Sequence, residues 1–254
     1  MTDAGPLLCV LVGEDVAHWR IADRWTWRLI QDEKPWTVDL DPEQVFVWME
    51  NTERGGRYFK HRDIESFSEG KMGRRLRLHF RRTLRDLDSL DTKGVQAFAR
   101  FVRNLAWAEF QAPKPRFVYL AMDVDRKRAR VDGLARAVDA RDWTVEPIGV
   151  LPDPESEAWY VAGFVPEDAP ERARLDAVFA RLAFDPSVHA DRLTSTTSGP
   201  RDAKRVLAEL TAGDEERKAR CLDTDFGHLC RAGDSTGIGE FVDAVRRHVV
   251  AALR

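Results

Sequence analysis

Leu7-Leu8-Cys9-Val10-Leu11-Val12 runs directly into Gly13-Glu14-Asp15, and Phe117-Val118-Tyr119-Leu120-Ala121-Met122 runs directly into Asp123-Val124-Asp125. Short apolar runs without alternation read as strands buried on both faces, the habit of a parallel sheet. In such a sheet the ligand crevice lies outside the carboxyl ends of the strands. If the two strands are neighbours, Glu14, Asp123 and Asp125 converge on one small volume. Crowded carboxylates repel one another unless a cation neutralises them, and hard oxygen donors suit Mg²⁺ or Mn²⁺. The bland alternative is that each acid caps the helix that follows its strand and meets the positive end of the helix dipole.

Working outward, Asp15 to Gln31 reads as a helix ended by Lys34-Pro35, Glu43 to Met49 as a second strand, and Thr92 to Phe110 as an amphipathic helix. Asp125 onward reads as helical through Ala140, Thr144 to Leu151 as a strand, and Glu155 to Tyr160 as a short helix. Beyond Pro166 the pattern is helical almost throughout, roughly Ala169–Phe184, Pro200–Leu210, Asp214–Leu222 and Gly237–Leu253. Alternating strands and helices imply an α/β fold with a mostly parallel sheet flanked by helices. We therefore expect a core over residues 1–165, with a helical insertion at about 51–112, and a helical C-terminal extension over 166–254.

Composition narrows the class without naming it. Charged residues make up 33% and apolar residues 43%, the profile of a folded globular chain. Forty basic and 43 acidic residues leave a net charge of -3, so only a local concentration of charge can speak for nucleic acid. One such concentration exists. Lys71, Arg74, Arg75, Arg77, Arg81, Arg82 and Arg85 follow one another with no acid among them, after Tyr58, Phe59 and His61. A phosphate-tracking surface with stacking partners is one reading, and a solvated helix face backed by Leu76, Phe80 and Leu84 is the other. Arg126-Lys127-Arg128 places further positive charge beside Asp125. Cys9, Cys221 and Cys230 show no paired spacing, which argues against a disulfide framework or a structural zinc site. Neither a membrane-length apolar stretch nor a signal-peptide pattern is visible, so cytoplasm is the expected location and no membrane partner is expected.

The ordered motifs resemble the Toprim fold shared by topoisomerases, primases and the nucleases of the overcoming-lysogenization-defect class. They are closest in kind to a bacterial Toprim-like group of which several members are associated with phage defence. The resemblance is carried by Glu14 after the first strand, by Asp123-Val124-Asp125, by Pro154-Glu155-Ser156-Glu157-Ala158-Trp159, and by Pro200-Arg201-Asp202-Ala203-Lys204. It implies a Toprim-like (Rossmann-like) core and a Mg²⁺- or Mn²⁺-dependent nuclease. Glu14 would serve acid–base chemistry, Asp123 and Asp125 would bind metal, and Glu155 or Glu157 would add a further carboxylate for a second ion. Lys204, with Arg201, would reach the same crevice. Where many relatives read Val-Glu-Gly, this chain reads Val12-Gly13-Glu14-Asp15, and a one-residue shift of the acid would let Asp15 share or replace the role of Glu14.

DNA is the expected substrate, with Arg74, Arg75, Arg77, Arg81, Arg82 and Arg126 as candidate nucleic-acid contacts. The chain contains no Gly-x-x-x-x-Gly-Lys-Ser/Thr loop, so any ATP-driven step belongs to an ATPase partner. Two alternatives stay open. One is a non-catalytic subunit of a defence complex. The other is a metal-dependent phosphatase or nucleotidyl enzyme built on Asp123-x-Asp125, although Lys127 stands where haloacid-dehalogenase-like phosphatases carry threonine. Oligomeric state is not written in the sequence.

Overall fold

Among the described residues five strands lie in one sheet, and every pairing between them is parallel. The computed structural model describes residues 5–52, 55–65 and 90–253. Its elements run β1 (Leu7–Gly13), α1 (Val16–Glu33), α2 (Pro42–Val45), β2 (Phe46–Trp48), β3 (Phe59–Lys60), α3 (His61–Glu65), α4 (Thr92–Glu109), β4 (Phe117–Ala121), α5 (Arg128–Asp139) and β5 (Glu146–Val150). Then follow α6 (Ser156–Ala162), α7 (Ala169–Leu182), α8 (Ala203–Thr211), α9 (Glu215–Arg220), α10 (Phe226–Ala232) and α11 (Ile238–Ala244), and a π-helical turn at Val245–Val250. Packing divides the chain into two units. The first is Met1–Met122, Lys127–Val150 and Ala244–Arg254, and the second is Asp123–Arg126 with Leu151–Asp243. The sequence reading put this boundary near 165; the division falls at Val150, and the last residues of the chain return to the first unit.

The first unit is an α/β layer structure. Strand order is β2-β1-β4-β5, with β3 also on β1, so the two strands singled out by their acids are indeed neighbours, with Val12 opposite Leu120. Cys9 to Val12 and Val118 to Ala121 are fully buried, as unbroken apolar runs require. Burial also pushes the Cys9 thiol up, which suits a packing residue and not a nucleophile. Helix α1 turns Ile21, Ala22, Trp25, Leu29 and Ile30 inward, and α4 turns Phe98, Phe101 and Leu105 inward. Helices α4 and α5 cross closely at two glycines, where a Cβ on Gly133 would stand 2.6 Å from the Gly94 carbonyl oxygen.

Three local expectations are corrected. The strand expected over Glu43–Met49 is shortened by α2, because Asp41-Pro42 starts a helical turn in which the Gln44 side chain accepts from the Asp41 amide at 2.8 Å. The helix expected from Asp125 begins at Arg128, since Asp125 and Arg126 take φ of 53° and 59°, outside the right-handed helical region. The strand expected over Thr144–Leu151 narrows to Glu146–Val150.

The second unit is helical, with Trp159, Tyr160, Phe164, Val206, Leu210 and Leu229 in its core. Trp159 is fully buried and donates to the Thr236 carbonyl at 2.7 Å, which makes it an anchor of this unit's core. Gly237 lies at φ +91°, and a Cβ there would sit 2.6 Å from the Leu151 carbonyl oxygen; Gly237-Ile238-Gly239 is a tight turn into α11. A buried ion pair ties α7 to α9, with Arg217 Nε 2.6 Å from Glu171 Oε1. Among the described residues no helix is long and apolar enough to cross a membrane.

Candidate functional site

The second unit gathers Asp123, Glu155, Glu157 and Lys204, and local hydrogen bonding explains how. Two segments run side by side, the Val124 amide donating to the Pro152 carbonyl and the Asp125 amide to the Pro154 carbonyl, each at 2.8 Å. This pairing sets Asp123 beside the start of α6, where the Ser156 amide donates to Asp123 Oδ1 at 2.9 Å. Glu155 is the extended residue that precedes α6. The Ser156 hydroxyl donates to Glu157 Oε2 at 3.2 Å, so one buried serine bridges two acids. From α8 comes Lys204, whose Nζ lies 3.2 Å from Glu155 Oε2. Asp202 caps α8 by accepting from the Lys204 amide at 3.0 Å, which fixes the turn that carries the lysine.

The electrostatics are those of a crowded, partly dehydrated anionic site. Glu155 is only 4% exposed, and burial, followed by the charges of Glu157 and Asp123, pushes its carboxyl up to about 7 against the pull of Lys204. Burial also raises Glu157, again opposed by Lys204. Burial works to lower Lys204, but Glu157, Glu155 and Asp123 outweigh it and hold the ammonium above its ordinary value. Glu155 Oε1 is buried and has no hydrogen-bond partner among the described residues. Perturbed groups of this kind concentrate where chemistry is done, because an orphaned carboxylate oxygen serves stability badly.

Among the described residues no group of three or more histidine, cysteine or acidic side chains is drawn together closely enough to hold a metal ion. Carboxylate oxygens are the hard donors that a divalent cation takes, but here they are not drawn together as a ligand set. Three carboxylates share the cluster, Lys204 already acts as a counter-cation to one of them, and Glu155 Oε1 stands unused.

The other expected residues have the following surroundings, each within its own unit. Glu14 lies in the first unit, where Arg100 Nη1 donates to its Oε1 at 3.3 Å. Asp15, in the same unit, caps α1 by accepting from the Ala17 and His18 amides. Burial pushes Asp15 up, but its bonds and charge contact with His18 outweigh that and lower it to about 2, so the capping reading describes this residue well. Asp125 donates its amide to the Pro154 carbonyl, as above, and takes a left-handed backbone. Arg126 is occupied within the second unit, its guanidinium donating to the Asp191 and Leu193 carbonyls and its amide to Asp153 Oδ1 at 3.0 Å. Arg74, Arg75, Arg77, Arg81 and Arg82 lie outside the described residues.

Phe59 and His61, offered as stacking partners, are used inside the first unit. The Phe59 ring packs on Trp107 with centroids 4.8 Å apart. His61 is buried; its Nε2 donates to the Ala121 carbonyl at 3.0 Å, and its Nδ1 accepts from Asn104 at 2.8 Å. Burial, helped by the nearby Arg100 charge, holds His61 down at about 3, a locked neutral imidazole. Ser156 and Asp202 stand inside the quoted motifs, but sequence reasoning assigned neither a role. Only the fold shows that Ser156 bridges Asp123 and Glu157 and that Asp202 fixes the turn carrying Lys204. Comparison with protein-family models, with curated proteins and with solved structures returned no match.

Proposed function

We propose that this chain is a divalent-cation-dependent phosphodiester hydrolase with a Toprim-like core, acting on DNA in the cytoplasm as part of phage defence, with any ATP-driven step supplied by a partner. The observation that supports this reading is the buried carboxyl of Glu155, carrying one unpartnered oxygen, set beside Asp123, Glu157 and Lys204. Asp123, Glu155 and Glu157 are the candidate donors to Mg²⁺ or Mn²⁺; the ion would have to draw them closer together than they stand here, and when bound it would neutralise charge building up on the phosphate oxygens. Glu155 keeps its proton up to about pH 7 and must release it to act as a ligand, so ion affinity is expected to rise with pH toward that value. The Lys204 side chain is 62% exposed at its ion pair and offers positive charge to a phosphate. Glu14 keeps the acid–base assignment that the resemblance implies.

The test is cleavage of plasmid and linear DNA with Mg²⁺ or Mn²⁺, set against chelator. Activity that persists unchanged in the Asp123→Ala, Asp125→Ala double variant, or in Glu155→Gln, refutes the reading. A second reading is favoured by the Lys204–Glu155 pair itself, which neutralises part of the cluster from within. A non-catalytic subunit would use that pair to fasten α8 to the start of α6. It would cleave neither DNA nor a phosphomonoester, and its stability would not respond to divalent cations.

A further inference from the structure

A cleft of about 380 Å³ lies wholly in the first unit and is lined by Arg116, Phe117, Trp143, Glu146, Arg247 and His248, among others. Its size falls within the range of small-molecule sites, roughly 300–1,000 Å³. The charges in and around it are not balanced. Glu146 Oε1 is 2.8 Å from His248 Nδ1. Glu109, beside the cleft, pairs with Arg141 and accepts from the Thr144 amide at 2.7 Å. Arg246, next in chain to Arg247, is paired with Glu33 at 2.6 Å. Glu109 and Glu33 are therefore already paired with arginines, and Glu146 is engaged by His248. Among the described residues neither Arg116 nor Arg247 has a carboxylate within ion-pair distance, and both are exposed.

Two further features turn this surplus of charge into a shaped site. Arg247 and His248 sit on the π-helical turn Val245–Val250, a rare irregularity that changes where side chains point and is often kept at functional positions. The wall is flat and stiff. The Trp143 indole is backed by the Arg141 guanidinium, 4.1 Å from its centroid, and tied to the Ala137 carbonyl through Nε1 at 2.9 Å. Arg116 stands 5.4 Å over the Phe117 ring. Guanidinium groups match the oxygens of phosphate in a fork geometry, and a rigid indole matches a planar ring.

We infer that this cleft binds a phosphorylated small molecule of mononucleotide size, with Arg116 and Arg247 holding the phosphate and Trp143 flanking the ring. The site shares no residue with the Asp123–Glu155–Glu157–Lys204 cluster and stands whether or not that cluster cleaves DNA.

The experiment is titration calorimetry of the full chain with AMP, GMP and inorganic phosphate. The wild type is expected to bind at least one mononucleotide saturably, and inorganic phosphate at least about tenfold more weakly because it lacks the ring. Arg116→Ala, Arg247→Ala removes two exposed side chains without touching the core. It is expected to weaken mononucleotide binding by roughly a hundredfold, about tenfold for each charged hydrogen-bonding group lost. Trp143→Leu should weaken the mononucleotide but leave phosphate unchanged, with circular dichroism confirming the fold of each variant. No saturable mononucleotide binding in the wild type overturns the inference. So does unchanged affinity in the double-arginine variant, and so does equal affinity for phosphate and mononucleotide.

Discussion

Replacing Glu155 by glutamine should make the protein more stable at alkaline pH while removing the activity proposed for it. The folded chain raises Glu155 from the ordinary 4.5 to about 7, so between those values the folded state holds a proton that the unfolded state has released. A raised acid of this kind leaves stability intact below about pH 4.5 and erodes it as pH rises through 7. A shift of that size corresponds to about 3 kcal/mol once Glu155 is fully ionised. Glutamine keeps the shape, carries no charge, and can donate from the position where Oε1 is now unpartnered. The attraction of Lys204 is already contained in that shift, so losing the ion pair subtracts nothing further. The net expectation is a gain of about 3 kcal/mol at pH 8 that shrinks to nothing at pH 4. Urea unfolding of both proteins at pH 4, 6 and 8 reads this directly. A variant less stable than wild type at pH 8, or a difference that does not change with pH, refutes the account of Glu155 as a buried, strained carboxyl.

Arg217→Met should cost about 3–5 kcal/mol by leaving Glu171 charged and buried, and Arg217→Met with Glu171→Met should recover most of it in a thermal melt. Arg217 lowers the Glu171 carboxyl below its ordinary range, so this pair supports the fold at neutral pH and its contribution fades on acidification, visible as a falling melting temperature. Gly133→Ala should destabilise the first unit by about 1–3 kcal/mol in denaturant unfolding, since its Cβ has nowhere to go between α5 and α4. His61, held neutral down to about pH 3, must take up a proton on unfolding below about 6.5. Asn104→Leu with His61→Leu should therefore flatten the acid side of the stability profile, and an unchanged profile would contradict the locked imidazole.

The parallel sheet was legible because Leu7–Val12 and Phe117–Met122 are apolar at every position, which only burial on both faces explains. The helices α1 and α4 were legible from their periodicity, and Asp15 as a cap from its place one residue before the helix. The split of Glu43–Met49 into a helical turn and a strand was not, because a four-residue helix carries too little periodicity to outweigh a run of β-branched and aromatic residues. The left-handed backbone at Asp125 and Arg126 was equally silent, since neither residue type announces it.

The candidate site divides along the same line. Which residues carry acid, where strands end, and that Glu155 and Glu157 open a helix follow from local order alone, since strand and cap chemistry act over a few residues. That Lys204 meets Glu155, that Ser156 bridges Asp123 and Glu157, and that Arg116 and Arg247 line one cleft depended on tertiary structure. These partners are distant in the chain or hidden in side-chain direction, and Coulomb energy and burial, which set the charge state of Glu155, depend on distance in space and not on distance in sequence.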